Sequence, residues 1–214
     1  MGKTALLVGA TGLVGRQVLE LLLNDSRYDQ VRVLSRQPLP VTHPKIHSTV
    51  TSFDRLQELA DLFQVDDIYC CLGTTIRKVK TQEAFRQIDF HYPLQVAQLG
   101  KAQGAKQYLL VSALGANAKS SIFYNRVKGE VEEAISKLGY RSLHIFRPSL
   151  LLGPREESRS GEDAAKFFYR IFGFLIPAKY KGIEARKVAA AMLECALREE
   201  PGIYLHESAS MQGY

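Results

Sequence analysis

The sequence predicts an α/β fold: a Rossmann-like, doubly wound parallel sheet with a small C-terminal cap. Three observations carry this. Short apolar runs alternate with longer amphipathic stretches. The first of these units places a glycine-rich turn between its strand and its helix. The apolar runs are also nearly continuous, as strands covered on both faces require. A chain of 214 residues buries about 70% of its unfolded surface in one core. Hydrophobic residues at 46% and charged residues at 23% exclude a disordered or low-complexity protein. One domain over 1–214 is expected, with 154–214 forming a cap or substrate-side extension.

Taken in order, Thr4 to Val8 reads as the first strand. Val14, Val18, Leu19, Leu22 and Leu23 then recur at helical spacing. Val31 to Leu34, Ile46 to Val50, Asp67 to Leu72, Gln107 to Val111 and Ser142 to Phe146 read as further strands. Helical patterns lie between most of them, at Asp54 to Phe63, Pro93 to Gln103 and Ser121 to Lys137. Asp89, just ahead of Tyr92-Pro93, reads as a helix start signal. After Pro154 come a polar loop through Gly161, an aromatic stretch, a helix over Ala185 to Arg198 and a short strand near Ile203 to Leu205. The aromatic stretch holds Phe167, Phe168, Phe172, Phe174 and Leu175. Core packing of the cap explains it, and a substrate lid, a dimer face or a membrane-surface contact remain open.

Net charge is +6, from 28 basic and 22 acidic residues spread along the chain. Arg77, Lys78 and Lys80 are the densest group, too short for a nucleic-acid tail, so no nucleic-acid partner is expected. With Arg155 and Arg159 they fall on crevice-side loops and read as a solvated basic rim, with a phosphorylated or carboxylated substrate as the alternative. Cys70, Cys71 and Cys195 lack CxxC spacing, and the chain opens on a strand-like segment without a leader, which predicts a reducing, cytoplasmic setting. Cys70 and Cys71 should point to opposite faces of a strand and so cannot bridge each other. His43, His47, His91, His144 and His206 show no ligand spacing, and no metal is expected. No apolar run approaches a membrane span, since Arg170 interrupts the stretch from Phe167 to Pro177.

The turn runs Leu6-Leu7-Val8-Gly9-Ala10-Thr11-Gly12-Leu13-Val14-Gly15. Gly9 permits the tight bend, Gly12 admits a pyrophosphate to the backbone, and Gly15 lets the helix pack on the strand, so the helix N-terminus faces the anion. A nicotinamide dinucleotide is the expected cofactor. An NAD site places an acid at the end of the second strand, but here that strand ends in Leu34-Ser35-Arg36. Ser35 as a hydrogen-bond donor and Arg36 as a cation suit a 2′-phosphate, so NADP(H) is expected over NAD(H).

Tyr124 and Lys128 stand four apart on one face of a predicted helix. That helix follows the fifth strand, whose end carries Val111-Ser112, where a doubly wound sheet presents side chains to its ligand crevice. A nearby ammonium favours the phenolate of a tyrosine. Lys128 thus activates Tyr124 as a proton donor, while Ser112 holds a substrate carbonyl oxygen.

These residues resemble the short-chain dehydrogenase/reductase superfamily, and within it an atypical branch. The more specific marks are Cys70-Cys71-Leu72-Gly73-Thr74-Thr75, Tyr124 through Lys128-Gly129-Glu130-Val131-Glu132, Phe146-Arg147-Pro148, and Arg155 through Gly161-Glu162. The resemblance implies a Rossmann fold binding NADP(H). It puts Thr11, Leu13 and Val14 in the phosphate turn, Leu72-Gly73-Thr74 along the cofactor, Lys128 on the nicotinamide ribose, and Pro148-Ser149 near the nicotinamide. Ser52 stands where relatives often carry an acid near the adenine, leaving Phe53 and Asp54 as candidates there, and Ser149 replaces a more usual glycine. The expected function is an NADP(H)-dependent oxidoreductase acting on a small carbonyl. A non-catalytic NADP(H)-binding regulator with a protein partner, and a sugar-nucleotide epimerase, remain as alternatives, and an oligomer is open.

Overall fold

The computed structural model describes residues 2–153 and 181–214. Seven parallel strands form the central sheet: β1 (Lys3–Val8), β2 (Tyr28–Ser35), β3 (Ile46–Val50), β4 (Asp67–Cys70), β5 (Gln107–Val111), β6 (Ser142–Arg147) and β9 (Gly202–Glu207), in the order β3-β2-β1-β4-β5-β6-β9. A short parallel pair, β7 (Leu151–Leu152) with β8 (Ile183–Glu184), lies apart from it. The order reverses at β1, which is where β1 and β4 leave the ligand crevice of a doubly wound sheet.

Both faces of the central strands are covered, which is why β1, β4, β5 and β6 read as largely apolar runs. Ala5 and Leu7 of β1 point to one side with Val33, Tyr69 and Leu109, under helices α1 (Leu13–Asn24) and α6 (Ala185–Arg198). Leu6 and Val8 point to the other with Ile68 and Leu110. Above them lie a kinked run of short 3-10 turns over Phe53–Phe63, broken at Arg55 and Leu59, and the helices α4 (Tyr92–Ala102) and α5 (Phe123–Ser136). Cys70 and Cys71 do fall on opposite faces.

Two features depart from the sequence reading. Within the expected cap, α6 and β9 belong to the sheet layer itself: α6 packs beside α1, and β9 pairs along the whole of β6. The polar loop with Arg155 and Arg159 and the aromatic stretch Phe167 to Leu175 lie outside the described residues. Asp89 is not a helix start. Helix α3 (Gln82–Arg86) runs through a π turn at Gln87–His91 into α4, with helical backbone at each junction. Proline is the cause. Pro93 has no N–H for the carbonyl four residues back, so the helix widens by one residue, and Tyr92 donates to Gln87 instead.

Close backbone contact fixes α5. A Cβ at Gly129 would fall 2.1 Å from the Ala118 nitrogen, so the loop after β5 lies directly on the helix. We expect Gly129→Ala to lower the unfolding free energy by about 1 to 3 kcal/mol through overpacking, read from the urea midpoint. Substitution at exposed Gly213, which has open space around it, should leave that midpoint unchanged.

Candidate functional site

The glycine turn is shaped as the sequence requires. Gly9 adopts φ +84°, and a Cβ there would meet the Cys71 carbonyl at 2.5 Å; at Gly15 it would lie 2.0 Å from the Gly9 oxygen. The turn is thus clamped between β4 and α1, with Gly12 donating to the Gly9 carbonyl at 3.0 Å. Thr11 and Gly12 are exposed, Leu13 half-buried, and Val14 buried against the sheet. Helix α1 begins with no side chain capping it and no acid in its first turn. Its free N–H groups and the side-chain-free backbone fit the pyrophosphate of a dinucleotide.

The centre of the site is a buried ion pair. Lys128, on α5, is 4% exposed, and its Nζ lies 2.7 Å from Oδ1 of the fully buried Asp89 in the π turn. The other Asp89 oxygen accepts from the Thr74 backbone N–H at 2.9 Å. Gly73 borders both: a Cβ there would be 3.6 Å from Asp89 Oδ1 and 3.8 Å from Lys128 Nζ. Burial alone would lower the Lys128 ammonium, but the charge and hydrogen bond of Asp89, together with Tyr124 and Cys70, outweigh it and hold the group above its ordinary value. Tyr124, one turn earlier, is close enough to Lys128 to couple to it, and its ring packs on Phe85 at 5.4 Å. The structure therefore brings Leu72-Gly73-Thr74, Tyr124 and Lys128 together around Asp89, the partner that the helix-start reading missed.

Ser112 is placed differently. Its hydroxyl donates to Oε1 of buried Glu132, whose carboxylate also accepts from Arg147 Nη2 at 2.5 Å and Nε at 3.1 Å. Arg147 reaches on to Glu207 at 3.2 Å. The chain Ser112–Glu132–Arg147–Glu207 ties β5, α5, β6 and β9, and the Ser112 proton is engaged in it. Glu132 stands one turn beyond Lys128, so the signal was present as a buried acid on the same helix.

At the adenine end, the Ser35 hydroxyl donates to the Gln37 carbonyl at 2.6 Å, within its own turn. Arg36 beside it is exposed and makes no ion pair among the described residues. Buried Phe53 packs on Tyr92 at 5.3 Å, and Tyr92 donates to Asp54 at 2.9 Å. At the opposite end, buried Pro148 accepts from the Leu114 N–H at 2.9 Å. Ser149 donates to the Lys181 carbonyl and accepts from the Ser208 hydroxyl at 2.9 Å.

The NAD dependent epimerase/dehydratase family matches residues 5–171. The chain is 37% identical to Protein HTATIP2 of Rattus norvegicus over 171 residues, covering 78% of this chain and 70% of that protein. It is 33% identical to the mitochondrial protein fmp52 of Emericella nidulans over 174 residues, covering 78% and 75%. Among solved structures, the Bordetella bronchiseptica enzyme WbmH in complex with NAD+ superposes with a TM-score of 0.74 at 17% identity, over 97% of this chain and 76% of that one. This likeness establishes the Rossmann-like fold. The expected cytoplasmic location is overturned by the fungal relatives, which are named mitochondrial. Free thiols do not by themselves choose a compartment.

The buried pair has a measurable signature. Asp89→Ala should cost about 3 to 5 kcal/mol, because it strands a buried cation, and Asp89→Ala with Lys128→Met should recover part of that loss. Because Lys128 is raised in the folded state, its contribution is complete below the ordinary lysine value of 10.5 and is lost as pH rises through the folded value. Buried Tyr28, Tyr69 and Tyr108, all raised by burial, act in the same direction. The informative quantity is the difference in urea midpoint between wild type and Lys128→Met, which should shrink above that pH.

Proposed function

The chain belongs to the NAD dependent epimerase/dehydratase family, and from this premise we propose that it is an NADP(H)-dependent oxidoreductase of the atypical short-chain dehydrogenase/reductase type, acting on a small carbonyl substrate. The observation that carries the reading is a buried, charged Lys128 one helical turn from Tyr124, at the edge of the crevice that Gly73 and the glycine turn line. A bound nicotinamide would supply or accept the hydride. Gly9 to Gly15 would hold the pyrophosphate on the N-terminus of α1, and Leu72 to Thr74 would lie along the dinucleotide.

In the reducing direction Tyr124 gives its phenolic proton to the substrate oxygen, and the Lys128 ammonium stabilises the phenolate left behind. Asp89 holds Lys128 charged and in place. With its own proton committed to Glu132, Ser112 serves this reading as a strut between β5 and α5, not as the donor to the substrate carbonyl. Ile76, Ile122 and Leu150, exposed by 37%, 60% and 56%, follow β4, β5 and β6 on the crevice side. An apolar rim of this kind suits an aldehyde or ketone of low polarity. A mitochondrial setting follows the fungal relatives.

Exposed Arg36 at the end of β2 supports NADP(H) over NAD(H). We expect Arg36→Ala to weaken NADPH binding by about 10- to 100-fold, the loss of a charge-assisted contact, with NADH changed little. An unchanged NADPH to NADH ratio would remove the preference. We expect Tyr124→Phe to bind NADPH normally and to lose about 10²- to 10⁴-fold in kcat on an aldehyde or ketone. Full turnover in that variant would exclude Tyr124 as the acid, and nucleotide-sugar epimerisation without net NADPH consumption would favour the epimerase reading.

A further inference from the structure

The face of the sheet under α6 carries a cluster that the proposed chemistry leaves unused. In the parallel register of β6 and β9, His144 lies beside Tyr204 and Phe146 beside His206, so all four point to one face. Helix α6 covers that face and brings Cys195 to it. His144 Nδ1 and His206 Nε2 are 3.0 Å apart, and Cys195 Sγ lies 3.8 Å from the same Nε2. The three donor atoms all fall within 4.8 Å of one another. His144 and Cys195 are buried and His206 partly so. The sequence gives no ligand spacing because the three residues sit on separate elements that only the fold brings together.

The separations lie close to those of a coordination site. With Zn–N near 2.0 to 2.1 Å and Zn–S near 2.3 Å, donors in a tetrahedral site lie roughly 3.3 to 3.6 Å apart, a span bracketed by the 3.0 and 3.8 Å contacts of His206, with the third pair, His144 and Cys195, within 4.8 Å and drawn in on binding. The orientation is prepared as well. The Ser142 hydroxyl lies 2.9 Å from His144 Nε2 and can take its proton, which leaves the Nδ1 lone pair facing His206 and Cys195. Stacking holds both rings, with Tyr204 on His144 at 5.0 Å and Phe146 on His206 at 4.5 Å.

We propose that His144, Cys195 and His206 form a binding site for one Zn²⁺ ion, separate from the dinucleotide crevice, with water as the fourth ligand on the more open side of His206. Two neutral imidazoles and one thiolate are the donors. Burial, then the neighbouring His206, lowers His144 to about 4, so it is neutral at physiological pH. Burial pushes the Cys195 thiol up to about 11, so binding must displace its proton: Cys195–SH plus Zn²⁺ gives a Cys195 thiolate–Zn²⁺ bond and one H⁺. Arg198, Glu194 and Glu200 are the ionisable groups that act on that thiol, while His206 acts on His144 and Arg198 on His206.

The test is a titration of the chelator-treated full chain with Zn²⁺, and with Co²⁺ as a spectroscopic probe. We expect one equivalent of either ion to bind, a thiolate-to-cobalt charge-transfer band, release of one proton per ion, and tighter binding as pH rises. Cys195→Ser and His206→Ala should abolish the band. Ser142→Ala, which keeps all three ligands, should weaken binding about tenfold. Far-UV circular dichroism checks that each variant folds, and the Ser142→Ala shift and the wild-type cobalt spectrum decide the matter should a ligand variant fail to fold. The absence of saturable uptake by folded wild type would overturn the proposal and leave the cluster a hydrogen-bonded chain. Uptake that survives in Cys195→Ser and is lost in His43→Ala with His47→Ala would also overturn it, assigning the ion to surface histidines.

Discussion

A lysine ammonium almost wholly withdrawn from water needs an opposite charge beside it, and the arrangement of this crevice follows from how Lys128 obtains one. Asp89 provides the charge from inside a helix, where an ordinary α-helical path would not be interrupted. Pro93 supplies the interruption by removing one backbone donor, and the helix widens into a π turn at Asp89. The second oxygen of Asp89 then captures the Thr74 N–H and draws the loop after β4 to the same point. One ion pair thus joins α5, the helix before α4 and the β4 loop. Tyr124 is positioned because Lys128 is.

The neighbouring buried acid works differently. Glu132 collects Ser112 and Arg147 into a chain reaching Glu207, and in doing so fastens α5 to three adjacent strands. Two carboxylates, one facing α5 and one on it, therefore divide the labour: Asp89 tunes and holds the charged group at the crevice, while Glu132 fixes the helix that carries it. At the far ends of the strands a third polar group, with Tyr28 and Gln107 donating to Asp67 at 2.5 and 2.7 Å and Lys3 paired to it at 3.0 Å, closes the core away from any ligand.

The fold was largely legible in the chain because a parallel sheet covered on both faces writes its strands as apolar runs, and because backbone clearance leaves only glycine for Gly9 and Gly15. Tyr124 and Lys128 were legible from helical spacing. Asp89 was not, since an acid shortly before a proline is also how helices begin, and only three-dimensional packing separates a cap from a π turn. Ser112 stood at the expected strand end, yet its hydroxyl is claimed by an acid twenty residues on, a contact no local pattern encodes. The C-terminal strand was visible as a short apolar run, but its place against β6 depends on topology. Free cysteines likewise do not say where the protein resides.

The most direct measurement is a calorimetric titration of the cofactor-free chain with NADPH, NADP+, NADH and NAD+ at fixed salt. If the glycine turn, Leu72 to Thr74 and Lys128 form one dinucleotide crevice with Arg36 at its adenosine end, all four bind at one equivalent, and the two phosphorylated forms bind about tenfold or more tightly than their counterparts. Binding of none of them would contradict the account at its centre, leaving the glycine turn as a tight strand-to-helix connection and the buried ion pair as a purely structural one.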